Sequence, residues 1–203
     1  EVSKEVSAGK LSSIIVNLNS NYDELWKQAC EEMKEYTEFA KIVQGKNLLY
    51  KSVIKKLINK VLESDLLQTP FKILALETDA KRKVSVEIEG KTTEVTLYGR
   101  LDRIELKDGI TRIIDYKTGT VDAAKQSPKT GDAEHIERIF NDVKLKENFQ
   151  QFFYASLYLN SNETAKLIVG IYPLKKISGG VTWFEKEPIT AEKKDLFEEN
   201  LTI

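Results

Sequence analysis

Leu-Tyr-Gly-Arg-Leu-Asp-Arg-Ile-Glu-Leu-Lys-Asp-Gly-Ile-Thr-Arg-Ile-Ile-Asp-Tyr-Lys, residues 97–117, holds two apolar-rich runs on either side of Asp108-Gly109. Asp-Gly suits a two-residue hairpin turn, because both turn positions need φ > 0. With Lys107 paired to Ile110, Asp102 falls opposite Asp115 and Arg100 opposite Lys117. Strand side chains alternate with period two, so these four share one face. Cross-strand neighbours lie ~5 Å apart, and like charges there repel. A fold that needs only stability has no use for two carboxylates at that spot. A hydrated Mg²⁺ removes the conflict, since nearby carboxylates are what it takes from a protein. Lys117 adds a positive group beside it. The competing reading is a register slip of one residue, which sends one aspartate to solvent. On the other face Glu105 opposes Arg112 and Leu101 opposes Tyr116, which reads as structural pairing.

Gly99-Arg100-Leu101-Asp102-Arg103-Ile104 followed by Ile113-Ile114-Asp115-Tyr116-Lys117-Thr118-Gly119 resembles motifs II and III of the PD-(D/E)XK nuclease superfamily. The nearest branch is the RecB-like one, the AddB-type nuclease domains of bacterial helicase–nuclease complexes. Gln150 and Tyr154, in Gln150-Gln151-Phe152-Phe153-Tyr154, match that family's Gln-x-x-x-Tyr motif. The resemblance runs from about Leu74 to Pro173. It implies a restriction-endonuclease-like αβββαβ core, a mixed sheet flanked by helices in the α/β class. It further implies that Asp102, Asp115 and the carbonyl of Tyr116 hold Mg²⁺ (or Mn²⁺), and that Lys117 assists the attacking water. Gln150, Tyr154 and Arg100 are then the substrate contacts. The implied activity is a metal-dependent deoxyribonuclease, the exonuclease domain of a repair or recombination helicase–nuclease. Its partners are DNA, single-stranded or a duplex end, and the rest of that helicase–nuclease chain or a partner subunit. Two other readings stay open: a degenerate, non-catalytic nuclease fold that binds DNA or scaffolds, and an unrelated α/β domain whose aspartates are solvated.

The sequence departs from the family in two places. A helix carrying a Gly-x-x-x-His-like motif I is absent between Glu1 and Pro70, and is expected before Glu1. AddB-type domains also often carry a four-cysteine iron–sulfur cluster, which one cysteine cannot build.

The rest of the chain sets the frame. At 203 residues it can bury a sizeable core, and 41% hydrophobic with 31% charged residues is ordinary for a folded domain. A net charge of −1 argues against wholesale electrostatic capture of nucleic acid, so DNA affinity must come from local patches. No apolar run is long enough to span a bilayer and there is no signal-peptide pattern. Cys30 is the lone cysteine, which excludes a disulfide framework and fits a reducing, cytoplasmic setting. The chain opens on Glu1 rather than Met, so a piece of a longer protein is expected.

Residues 1–70 read as a helical lead-in packed on a nuclease-like core at 71–203. Residues 1–20 are polar and weakly periodic. A helix is expected over 21–44, with Asp23 as N-cap and Gly45 at its end, and a second over 46–67. Lys41, Lys46, Lys51, Lys55, Lys56 and Lys60 form either a solvated face or a track for phosphates. After Pro70 strands are expected at Phe71–Thr78 and Val84–Glu89, a tight turn at Gly90-Lys91, and a strand at Thr93–Leu106. Glu77 reads as a solvated carboxylate or a third metal ligand. A loop with a short helix at Ala133–Val143 carries His135, read as a surface residue. A helix at Glu147–Asn160, strands at Ala165–Leu174 and Val181–Glu185, and a helix at Ala191–Leu201 complete the pattern.

Overall fold

The computed structural model describes residues 4–32, 48–120, 133–160, 166–184 and 187–201. By contact density the chain forms two units, one of Val6–Pro70 and one of Glu1–Glu5 with Phe71–Ile203. The expected helix end at Gly45, and Lys41 and Lys46, lie outside the described residues.

The smaller unit is built on α1 (Ala8–Glu32) and α2 (Leu48–Leu66). The sequence predicts no helix before residue 21, yet α1 begins at Ala8. Leu11, Ile14, Ile15 and Leu18 recur at helical steps, and the Ser7 hydroxyl accepts from the Lys10 amide at 3.3 Å as an N-cap. The helix kinks at Asn21 (φ −115°, ψ 18°), two residues before the expected cap. Asp23 serves instead as an ion-pair partner of Lys51 at 2.8 Å. The side-chain amides of Asn19 and Asn59 bond reciprocally at 2.9 and 3.1 Å, and the Tyr22 hydroxyl donates to the Lys51 carbonyl at 2.8 Å. Lys55 sits 5.0 Å from the Tyr22 ring centroid. Two of the lysines of the possible phosphate track, Lys51 and Lys55, thus join the two helices.

The larger unit is a six-stranded mixed sheet in the order β1 (Lys4–Val6), β2 (Phe71–Ile88), β3 (Lys91–Lys107), β4 (Ile110–Lys117), β5 (Leu167–Pro173) and β6 (Thr182–Trp183). β2, β3 and β4 are antiparallel neighbours, and β5 returns parallel to β4. A parallel return needs a long crossover. Here it runs through α3 (Ala133–Asn141), a 3₁₀ turn (Val143–Leu145) and α4 (Lys146–Asn160), and α5 (Ala191–Leu201) follows β6. This is the expected α/β architecture with an αβββαβ core.

β2 is one strand of 18 residues rather than the two short strands expected. Its partner β3 continues the ladder out to Ile88↔Lys91. The turn is therefore Glu89-Gly90, both at positive φ (51° and 73°), one residue earlier than predicted. Leu101, Ile104, Ile113, Leu167 and Val169 of the sheet pack in one core with Phe152, Ala155 and Leu159 of α4, Ile136 and Ile139 of α3, and Phe197 of α5. Phe152 stacks on Phe197 at 5.4 Å and meets Phe184 edge-on at 4.9 Å. This core fixes α4 over the sheet, and α4 carries two residues of the candidate site, Gln150 and Tyr154.

Candidate active site

The Asp108-Gly109 turn has both residues at positive φ (51° and 76°). Lys107 pairs with Ile110, as the turn chemistry requires, and the register runs unbroken to Arg103↔Ile114. The ladder stops there, one step before Asp102 and Asp115. The Asp102 side chain takes over from the backbone: its Oδ2 accepts the Tyr116 N–H at 2.8 Å. Asp102 is thereby fixed against the strand that carries Asp115 and Lys117.

The ladder opens there because β2 and β3 change face together. Glu77 has φ 48° inside β2, a conformation rare for a residue with a side chain. The register passes from Leu76↔Arg103 to Thr78↔Leu101 without pairing Glu77 to Asp102. Ile104 faces α4, and beyond the break so do Leu101 and Gly99. A Cβ placed on Gly99 would lie 2.7 Å from Leu157 and 3.2 Å from Tyr154, both on α4. Side-chain parity therefore reverses at Asp102. The expected pairing of Leu101 with Tyr116 on a structural face does not form, and Leu101 is fully buried in the core instead. Arg100 does not share a face with Lys117. It is exposed on the opposite side and pairs with Glu77 at 3.0 Å. Glu77 is likewise exposed and is engaged there, not at the aspartates.

On the α4 side Asp115, Lys117, Gln150 and Tyr154 form one chain of contacts. The Lys117 Nζ lies 3.0 Å from Asp115 Oδ2 and donates to Gln150 Oε1 at 2.7 Å. Gln150 Nε2 in turn donates to the Tyr154 hydroxyl at 2.8 Å. Gln150 and Tyr154 are one turn apart, so a single helix face presents both. Burial pushes the Asp115 carboxyl above its usual range; Lys117 opposes this and the Asp102 charge adds to it. Burial also raises the Tyr154 phenol, with further contributions from Asp115 and Asp102. The charge of Asp102 is thus felt at Asp115.

Asp115 Oδ2 is buried with no aligned hydrogen-bond donor, although Lys117 stands at ion-pair distance. A buried carboxylate oxygen that is charge-neighboured yet not hydrogen-bonded, next to a second carboxylate, suits a small hard cation. Among the described residues no three acidic, His or Cys side chains gather in one place, so a cation there would have the two aspartates and main-chain oxygen. His135 lies in α3, and its side chain is outside the described residues. Residues Lys117, Gly119, Thr120, Lys146, Glu147 and Gln150 line a groove of about 560 Å³ beside the Lys117 amine. Lys146 escapes notice in the sequence, where the one signal is its place a turn ahead of Gln150.

The sheet order and the parallel crossover through α4 define a restriction-endonuclease-like fold. The chain matches the sequence model of the PD-(D/E)XK nuclease superfamily over residues 9–201 and belongs to that superfamily. The match takes in both units, whereas the motifs alone cover about 74–173. Comparison with curated proteins gave no match. No helix among the described residues is long and apolar enough to cross a membrane.

Proposed function

We propose that the chain is a metal-dependent DNA nuclease that hydrolyses phosphodiester bonds, with Asp102, Asp115 and Lys117 as its reacting centre. One observation carries the reading: where the β3–β4 ladder ends, Asp102 holds the N–H of Tyr116, next to Asp115, with the Lys117 amine 3.0 Å from Asp115. The two carboxylates and the carbonyl of Tyr116 are the groups to hold Mg²⁺ or Mn²⁺. When bound, the ion polarises a phosphate oxygen and lowers the pKa of a coordinated water.

The chain's own residues do the rest. Lys117, held between Asp115 and Gln150, orients the attacking water and offsets charge that builds on the phosphate. Gln150 fixes the lysine and, with Tyr154, meets the substrate phosphate or base. In a chain of net charge −1, Lys117 and Lys146 supply local positive charge at this groove. Arg100, on the opposite face, stays outside this centre. We further read the chain as the RecB-like exonuclease part of a cytoplasmic DNA-repair helicase–nuclease. Gly-x-x-Asp, Asp-Tyr-Lys-Thr-Gly and Gln-x-x-x-Tyr in that order support it.

Single-turnover reactions on end-labelled single-stranded and duplex DNA test the proposal. Cleavage should require Mg²⁺ or Mn²⁺, and Lys117→Ala should slow it by roughly 10²–10³. Asp102→Ala should abolish it. Binding of DNA with no cleavage under any metal would favour the degenerate fold.

A further inference from the structure

The face of the sheet turned away from α4 holds a buried cluster of charge. Glu105 is fully buried and accepts from Arg103 Nε at 2.8 Å, while Arg112 pairs with the same carboxylate. Phe71 lies 5.0 Å from the Arg103 guanidinium and Trp183 5.3 Å from that of Arg112. Two guanidinium groups thus share one carboxylate between two aromatic rings. Stability alone does not call for such a cluster, because well-packed apolar residues of similar volume often do as well as a buried ion pair.

The cluster has a second connection. Arg103 Nη1 donates to the Tyr116 hydroxyl at 3.1 Å, and the Tyr116 ring stacks on Tyr172 at 5.6 Å. Tyr116 lies between Asp115 and Lys117, and alternation sends its side chain to the far face while theirs point toward α4. Its N–H is the group that Asp102 grips. One residue is therefore held at three points; its two peptide units join it to Asp115 and Lys117, and its N–H holds Asp102.

We propose that the Arg103–Glu105–Arg112 cluster is a positioning device: through the Tyr116 hydroxyl it sets the peptide that aligns Asp102, Asp115 and Lys117 for a divalent cation. This rests on the cation reading above. Groups that orient metal ligands from outside typically change affinity 10- to 100-fold when removed. Sites of this kind tolerate errors of only about 0.5 Å.

Calorimetric titration of the full chain with Mn²⁺ tests it, with melting temperatures measured in parallel without metal. Tyr116→Phe removes one oxygen and keeps the ring stack, and Arg103→Lys keeps the charge and loses the fork. Each should weaken Mn²⁺ binding about 10-fold. A Kd within twofold of the parent in Tyr116→Phe, whatever its melting temperature, overturns the proposal and leaves the cluster merely structural. If Arg103→Lys fails to fold, Tyr116→Phe alone decides. A parent chain that takes up no Mn²⁺ defeats the cation reading itself and this inference with it.

Discussion

At Asp115 charge and burial conflict. Its folded carboxyl titrates above the ordinary range, chiefly because it is buried. The folded state therefore binds the proton more tightly than the unfolded chain. The stability this brings is complete below the ordinary carboxylate range and is lost as pH rises through the raised value. Melting temperature without metal should fall over that window, and Asp115→Asn should flatten the fall and raise stability at neutral pH. A pH profile of melting identical in parent and variant contradicts the assignment. The outward pairs differ in weight. Arg100 and Glu77 are both exposed, so Arg100→Ala should change stability by less than about 1 kcal/mol.

At the scale of elements, the β3–β4 hairpin was legible and the β2–β3 ribbon only partly so. Asp108-Gly109 dictates a type I′ turn, and the turn dictates the register, which holds as far as Arg103↔Ile114, next to Asp102 and Asp115. The parity reversal was hidden because Glu77 is not glycine, so nothing in the sequence marks a left-handed residue there. Arg100 was misplaced for that reason alone. β2 was split because Asp79–Lys83 is polar, yet those residues need no apolar character in a two-stranded ribbon that pairs with itself. α1 was missed before residue 21 because only Leu11, Ile15 and Leu18 mark its buried side there. The break at Glu77 has its own test. Glu77→Val, β-branched at positive φ, should destabilise by about 1–3 kcal/mol, whereas Glu77→Gly should be near neutral or stabilising. Equal effects of the two in denaturant melts would show that φ at 77 is not strained. Phe152 anchors α4 to the sheet, and Phe152→Ala should remove about 3–5 kcal/mol and misplace Gln150.

Across the whole molecule, the superfamily's chemistry and this chain's geometry meet at one point. Five residues separated by up to 52 positions in sequence, Asp102 to Tyr154, form a connected group because the hairpin supplies three and the crossover helix two. The motifs made those five readable, and alternation and helix periodicity explain why they meet. The far-face cluster was legible as the Glu105–Arg112 pair, and Arg103, two residues before Glu105 on β3, joins it by plain alternation. Cation binding should also stabilise the fold. At a concentration about 100 times Kd it adds about 2.7 kcal/mol, which for a chain of this size is roughly 5–10 °C in melting temperature. The most direct measurement is the anomalous scattering of a crystal soaked in Mn²⁺. A single peak about 2.1 Å from one oxygen of Asp102 and one of Asp115, with the Lys117 amine beside it, is the predicted result. A map with no peak between those carboxylates, in crystals where they point apart, would contradict the account.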